Sequence, residues 1–165
     1  MTFVIVDYRI AIAITGLYYF FNRDTLCDMK ITELKRVSYS RIGKYHKNSI
    51  KPEPHEEETA KLLALYGFDI EIIKPMNTPK TKNPDFLING SIWETKSPTT
   101  SNLKTIKKRM HEASEQAMRI IVDLRRVRNN YEKIEKDIIK RFYNKGSFRI
   151  MILITKDGRV FEYRK

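Results

Sequence analysis

At 165 residues, 41% apolar and 32% charged, the chain is long enough for one folded domain and too apolar to stay disordered. A net charge of +12 points to a polyanionic partner, nucleic acid ahead of an anionic membrane. The single cysteine, Cys27, excludes an internal disulfide framework and a Cys-rich zinc site.

Residues 3–21 are rich in Ile, Val, Tyr and Phe, interrupted by Asp7 and Arg9. The uninterrupted run 10–21 is too short to span a bilayer. It also lacks the basic leader and small-residue cleavage site of a signal peptide, so no membrane partner is expected. An added strand or helix, or a start that truly begins at Met29, are both open, and the segment is read as dispensable to function. Residues 29–49 carry Lys30, Lys35, Arg36, Arg41, Lys44 and Lys47 with Tyr39 and Tyr45 between them. They read as an irregular basic arm along a phosphate backbone, or as a solvated linker. The expected division is an extension over 1–50 and a folded domain over 51–165.

Pro52 and Pro54 introduce a helix over 55–66, with acidic residues in its first turn and Gly67 as its stop. A strand over 68–73 and a basic loop over 75–82 follow. In 83–96, two runs of β-branched and aromatic residues meet at Asn89-Gly90, the signature of a type I′ hairpin. If those two residues form the loop, cross-strand partners sum to 179. Asp85 then faces Glu94, with Lys96 on the same face. Asn102 and its neighbours cap a helix over 103–118, whose stripe is Leu103, Ile106, Met110, Ala113 and Ala117. Lys104, Lys107, Lys108 and His111 crowd its other side. The apolar run 119–124 reads as a buried strand, left by Arg125, Arg126 and Arg128. A helix marked by Tyr131, Ile134, Ile138 and Phe142 ends at Gly146. Strands over 148–155 and 159–163 close the chain around Asp157-Gly158. This order predicts an α/β (α+β) fold with a mixed sheet flanked by helices. The absence of a Gly-rich phosphate loop and of a paired-histidine helix motif excludes nucleotide-dependent and zincin chemistry.

Asp85 and Glu94 offer hard oxygen ligands to Mg²⁺ or Mn²⁺, which are completed by water and substrate phosphate. Lys96 beside them would orient or deprotonate the attacking water. Glu56, on the stripe of Ala60 and Leu63, ranks first as a further carboxylate and Glu58 second. Lys104, Lys107, Lys108, Arg125, Arg126 and Arg128 are the candidate phosphate-backbone contacts. His55 is read as a helix cap, His111 as a surface histidine and Trp93 as core. The same residues also admit a plain solvated sheet face.

Pro84-Asp85, then Glu94-Thr95-Lys96, resembles the PD-(D/E)XK pattern of metal-dependent nucleases, which implies an αβββαβ core, here with an extra helix and a C-terminal hairpin. Over 55–165, His55-Glu56, Pro84-Asp85-Phe86-Leu87-Ile88-Asn89-Gly90, Trp93-Glu94-Thr95-Lys96-Ser97-Pro98-Thr99, Gln116-Ala117 and Ile121-Val122-Asp123-Leu124 resemble the C-terminal tRNA-nuclease domains of CdiA-type contact-dependent growth-inhibition toxins. The resemblance implies a tRNA or RNA endonuclease ahead of a DNase, a cognate immunity protein as partner, and a cytoplasmic place of action, with a bacterial, phage or mobile-element origin. Similar-sized toxin RNases of the barnase–EndoU–colicin–RelE group cleave without metal through the ribose 2′-OH. Under that alternative Lys96, Ser97, Thr99 and Gln116 matter more, and Asp85 and Glu94 are scaffolding. A non-catalytic nucleic-acid-binding module is the rival from another class.

Overall fold

The structure, a computed structural model, describes residues 2–6, 9–14, 17–22, 30–48, 51–73, 84–145 and 147–165. The expectations placed on Cys27, Met29, the loop 75–82 and Gly146 lie outside these. β1 (Thr2–Val6), β2 (Arg9–Ile14) and β3 (Leu17–Asn22) form a separate antiparallel sheet of their own.

The main sheet has eight strands: β4 (Lys30–Leu34), β5 (Tyr45–His46), β6 (Ile70–Ile72), β7 (Phe86–Ile88), β8 (Ser91–Lys96), β9 (Arg119–Asp123), β10 (Ile150–Ile154) and β11 (Val160–Arg164). Their spatial order is β4-β11-β10-β9-β8-β7-β6-β5. β8, β9 and β10 run parallel, as do β5 and β6, and the remaining pairs are antiparallel. This is the expected mixed sheet.

Helices cover both faces. α1 (Pro54–Ala64) sets Ala60 and Leu63 against Phe86, Trp93, Ile121, Ile152 and Ile154. α2 (Leu103–Ser114) and α3 (Tyr131–Lys145) pack Ile106, Met110, Ile134, Ile138 and Phe142 against Ile120, Val122, Met151 and Leu153 on the opposite face. Alternate residues of β9 and β10 thus enter different cores, and strands buried on both sides have unbroken apolar sequences.

The hairpin has the expected register, Phe86↔Trp93, Leu87↔Ile92 and Ile88↔Ser91. Asn89 (φ 47°) and Gly90 (φ 73°) both take the left-handed conformation that the tight turn demands. α2 is shorter than the stripe suggests and ends at Ser114, not 118. The Ser114 hydroxyl donates back to the His111 carbonyl at 2.6 Å, and the N–H groups of both Gln116 and Ala117 reach Ala113 O, closing the helix in a turn.

The larger correction concerns 29–49. Its described part, from Lys30, is no irregular arm, because it supplies both edges of the main sheet: β4 pairs with β11 and β5 with β6. An expected domain of 51–165 therefore leaves out both edge strands. Between them the chain wraps the end of α1, whose last carbonyls have no partner inside the helix. Val37 N–H donates to Leu65 O at 3.0 Å and Gly43 N–H to Ala64 O at 2.9 Å. The Asp69 carboxylate accepts from Lys44 N–H at 2.7 Å, and Ile70 N–H reaches Lys44 O at 2.7 Å, which seeds the β5–β6 pairing. The charged residues of the segment mask this role, since only short pieces of it are apolar.

Gly43 is required by close approach. A Cβ there would lie 1.9 Å from the backbone oxygen of Phe68. Gly43→Ala is expected to lower the unfolding free energy by about 1–3 kcal/mol, read by urea denaturation.

Candidate active site

β8 carries the site because both its neighbours fix it, β7 antiparallel and β9 parallel through Glu94↔Ile120 and Lys96↔Val122. The β7–β8 ladder stops at Phe86–Trp93. One position further, where the register sets Asp85 across from Glu94, Asp85 turns its carboxylate inward instead, and Oδ2 accepts from Thr95 N–H at 2.8 Å. Glu94 is only 1% exposed, and its Oε1 is held by the ammonium of Lys96.

Beside this strand end lies a hollow of about 300 Å³. α1 contributes His55 and Glu56, the hairpin and the chain after β8 contribute Asp85, Thr95, Lys96 and Ser97, and α2 contributes Arg109 and Glu112. Glu56 is the third helical residue. Its Oε2 accepts from the N–H of the N-cap Glu53 at 3.1 Å, which fixes the side chain at the mouth of the hollow. The N-cap is therefore Glu53 and not His55, which is free to face Asp85.

Three carboxylates here are harder to ionise than usual. Burial, then the charge of Asp85, pushes Glu94 up to about 7 in spite of the Lys96 ammonium. Burial raises Asp85, offset by the Thr95 N–H, Lys96 and His55. Burial raises Glu56 as well, with Asp85 adding to the effect. All three shifts have one cause, negative charge in excess of what the local dry surroundings solvate, and any added cation relieves it. Among the described residues, no three His, Cys, Asp or Glu side chains converge closely enough to enclose a metal ion alone. The donors fit a Mg²⁺-type site, in which one or two carboxylates are completed by water and phosphate.

The structure thus brings together Asp85, Glu94, Lys96 and Glu56, with Ser97 beside them. Glu58 is not part of this group: it lines a separate hollow with Tyr45, Lys61 and Arg125. Thr99 is exposed, Gln116 lies in the turn after α2, and neither lines the carboxylate hollow. The basic candidates divide. Lys104, Arg126 and Arg128 are exposed, Lys108 sits 3.8 Å from Glu112, and Lys107 pairs with Asp137 at 3.2 Å. Arg125 is committed inward. Its Nη2 reaches Asp123 Oδ2 at 2.6 Å and its Nε reaches Oδ1 at 3.0 Å.

Sequence reasoning passes over Asp123, Arg109, Glu112 and the position of His55. Asp123 is 1% exposed and takes the Thr59 hydroxyl at 2.7 Å as well as Arg125, so it ties α1 to the end of β9. Its signal was a lone acid inside an apolar run, two residues before an arginine. Arg109 and Glu112 step by three from Ile106, at the flank of the α2 stripe, where a helix meets the rim of its own packing face.

Residues 82–160 match the family model described as the contact-dependent growth inhibition CdiA C-terminal domain. Among solved structures, the chain is similar to the CdiA-CT/CdiI toxin and immunity complex from Burkholderia pseudomallei. The identity is 24% and the TM-score 0.57, over 74% of this chain and 100% of that one, which shows a shared fold. No curated protein matches the chain.

Glu94 makes stability depend on pH in a defined direction. Its folded value of about 7 lies above its ordinary 4.5, so across that window the unfolded chain releases the proton first and rising pH favours unfolding. Glu94→Gln removes this term. In EDTA, the stability gained over the parent protein should be near zero at pH 4 and grow to the order of 3 kcal/mol at pH 8, measured by urea unfolding.

Proposed function

We propose, from the premise that residues 82–160 form a CdiA C-terminal toxin-like domain, that the protein is a nuclease. It hydrolyses phosphodiester bonds with a divalent metal, in tRNA or other RNA ahead of DNA. The observation that carries this reading is the hollow in which α1, the β7–β8 hairpin and α2 set Glu56, Asp85 and Lys96 together beside the buried Glu94. The family match begins after α1, so the part given to Glu56 rests on geometry alone.

Asp85 and Glu94 would hold Mg²⁺ or Mn²⁺, with Glu56 assisting. The chemistry such an ion supplies is polarisation of a phosphoryl oxygen and a lowered pKa for water. Lys96, kept by Glu94 at the strand end, orients the attacking water and balances charge that builds on the phosphate. Thr95 contributes its backbone, since its N–H fixes the Asp85 carboxylate. The exposed Lys104, Arg126 and Arg128 provide non-specific attraction for the phosphate backbone, in keeping with the charge of +12.

A second reading is favoured by His55 and Lys96 lining one hollow: a metal-independent RNase that works through the ribose 2′-OH. The similar structure was solved as a toxin with its immunity protein, and by extension this protein would act on nucleic acid in the cytoplasm of a target cell and be held in check by a cognate immunity partner.

Purified protein incubated with total tRNA and with plasmid DNA should cleave RNA in Mg²⁺ or Mn²⁺ and stop in EDTA. Asp85→Ala, Glu94→Ala and Lys96→Ala should each lower kcat by at least about 10²-fold. Unchanged cleavage by the Glu94 and Lys96 variants would sink the proposal. Cleavage that survives EDTA but spares a 2′-deoxy substrate would transfer it to the 2′-OH mechanism. Binding to RNA in EDTA should weaken steeply with salt, and Arg126→Ala or Arg128→Ala should each reduce the log–log salt slope by about 1.

A further inference from the structure

The hollow contains polar groups to which the carboxylate chemistry gives no work. Thr95 Oγ1 and Ser97 Oγ are shielded from water and have no hydrogen-bond partner among the described residues, and both residues line the hollow. Thr95 is only 5% exposed. A shielded hydroxyl left without a partner costs about 1–3 kcal/mol, which a ligand oxygen would recover once the side chain turns toward the hollow.

The wall provided by α2 presents Arg109. Burial of Ile106, Met110 and Ala113 orients the helix so that Arg109 stands at the rim of the hollow. Among the described residues it makes no ion pair, whereas Lys96 is held by Glu94 and Arg125 by Asp123. With Glu56 and Asp85 also lining the hollow, an anion entering it needs a cation that is not already engaged. A guanidinium presents its donors as a planar fork that matches two oxygens of a phosphate. The volume of about 300 Å³ equals roughly ten waters at about 30 Å³ each, room for one phosphodiester group and its hydration.

We infer that Arg109 binds the non-bridging oxygens of the phosphodiester to be cleaved, with the Thr95 and Ser97 hydroxyls as further donors. This phosphate cradle rests on the nuclease reading and adds to it the group that holds the substrate's reacting centre. Carboxylates and arginine then divide the work: the former gather the cation, the latter grips the anion it acts on.

The test compares the full-length protein with Arg109→Ala, Arg109→Lys and Ser97→Ala on RNA in Mg²⁺ or Mn²⁺, and follows melting temperature in parallel. Arg109→Ala should lower kcat by about 10²- to 10³-fold. Its melting temperature should stay within about 2 °C of the parent, because the side chain is exposed. Arg109→Lys should recover only a small part, since an ammonium cannot make the two parallel bonds. Ser97→Ala should cost about tenfold. Should Arg109→Ala not fold, Arg109→Gln carries the same expectation. A kcat for the Arg109 variants within about twofold of the parent overturns the inference, as does a rise in KM alone, which marks mere backbone attraction. If the parent cleaves neither RNA nor DNA, the nuclease reading fails by itself. The cradle is then decided by titrating the metal-free protein with inorganic phosphate and following the amide NMR signals of residues 95–97. Shifts in the parent that vanish in Arg109→Ala support it, and equal shifts in both overturn it.

Discussion

Burying an ionisable carboxylate in the middle of a sheet carries a desolvation penalty that only specific partners offset. Glu94 is such a group, 1% exposed on a strand locked between an antiparallel and a parallel neighbour. Lys96 lies two residues along the same strand and supplies the compensating charge. The compensation is incomplete: burial first, then the charge of Asp85 and to a lesser extent that of Glu56, pushes the Glu94 pKa up to about 7. A packed apolar side chain at this position would avoid that penalty. Glu94 is thus a buried carboxylate beside a hollow open to solvent, with its charge only partly offset.

The other walls of the hollow are held by contacts remote from it. α1 brings Glu56 and His55 to the strand end, and two fastenings keep it there. The first is Asp123 at the end of β9, which accepts from Thr59 of α1 and from Arg125. The second is the strap between β4 and β5, whose N–H groups at Val37 and Gly43 satisfy the last carbonyls of the helix. Arg125 is thereby a structural cation, lining the separate hollow with Glu58, and its role differs from that of the exposed Arg126 and Arg128. α2 lies against the opposite face of the sheet, so the hollow is built where elements from both faces meet the end of one strand.

Much of this was legible from the chain. Asn89-Gly90 fixed the hairpin register, because only a turn with two positive φ angles closes two strands so tightly and because these two residues accept it. From that register Asp85, Glu94 and Lys96 followed as neighbours. Glu56 followed from helical period, as it shares a stripe with Ala60 and Leu63. The apolar runs of β9 and β10 announced strands covered on both faces. The edge strands were not legible. β4 carries two charges in five residues and β5 is only two residues long, and their pairing depends on β11 and β6, more than a hundred and more than twenty residues away respectively.

By itself, then, the sequence determined the elements with strong local period or strict turn geometry, and with them the pairing of two carboxylates and a lysine at the mouth of one hairpin. Only the tertiary structure decided which other side chains share that space. It admitted His55, Arg109 and Ser97, sent Glu58 to the far side of α1, and turned Arg125 inward to Asp123. The physical reason is range. A turn or a helical stripe is set by neighbours within a few residues, whereas the walls of the hollow belong to segments whose meeting is fixed by sheet order and by burial of two separate cores.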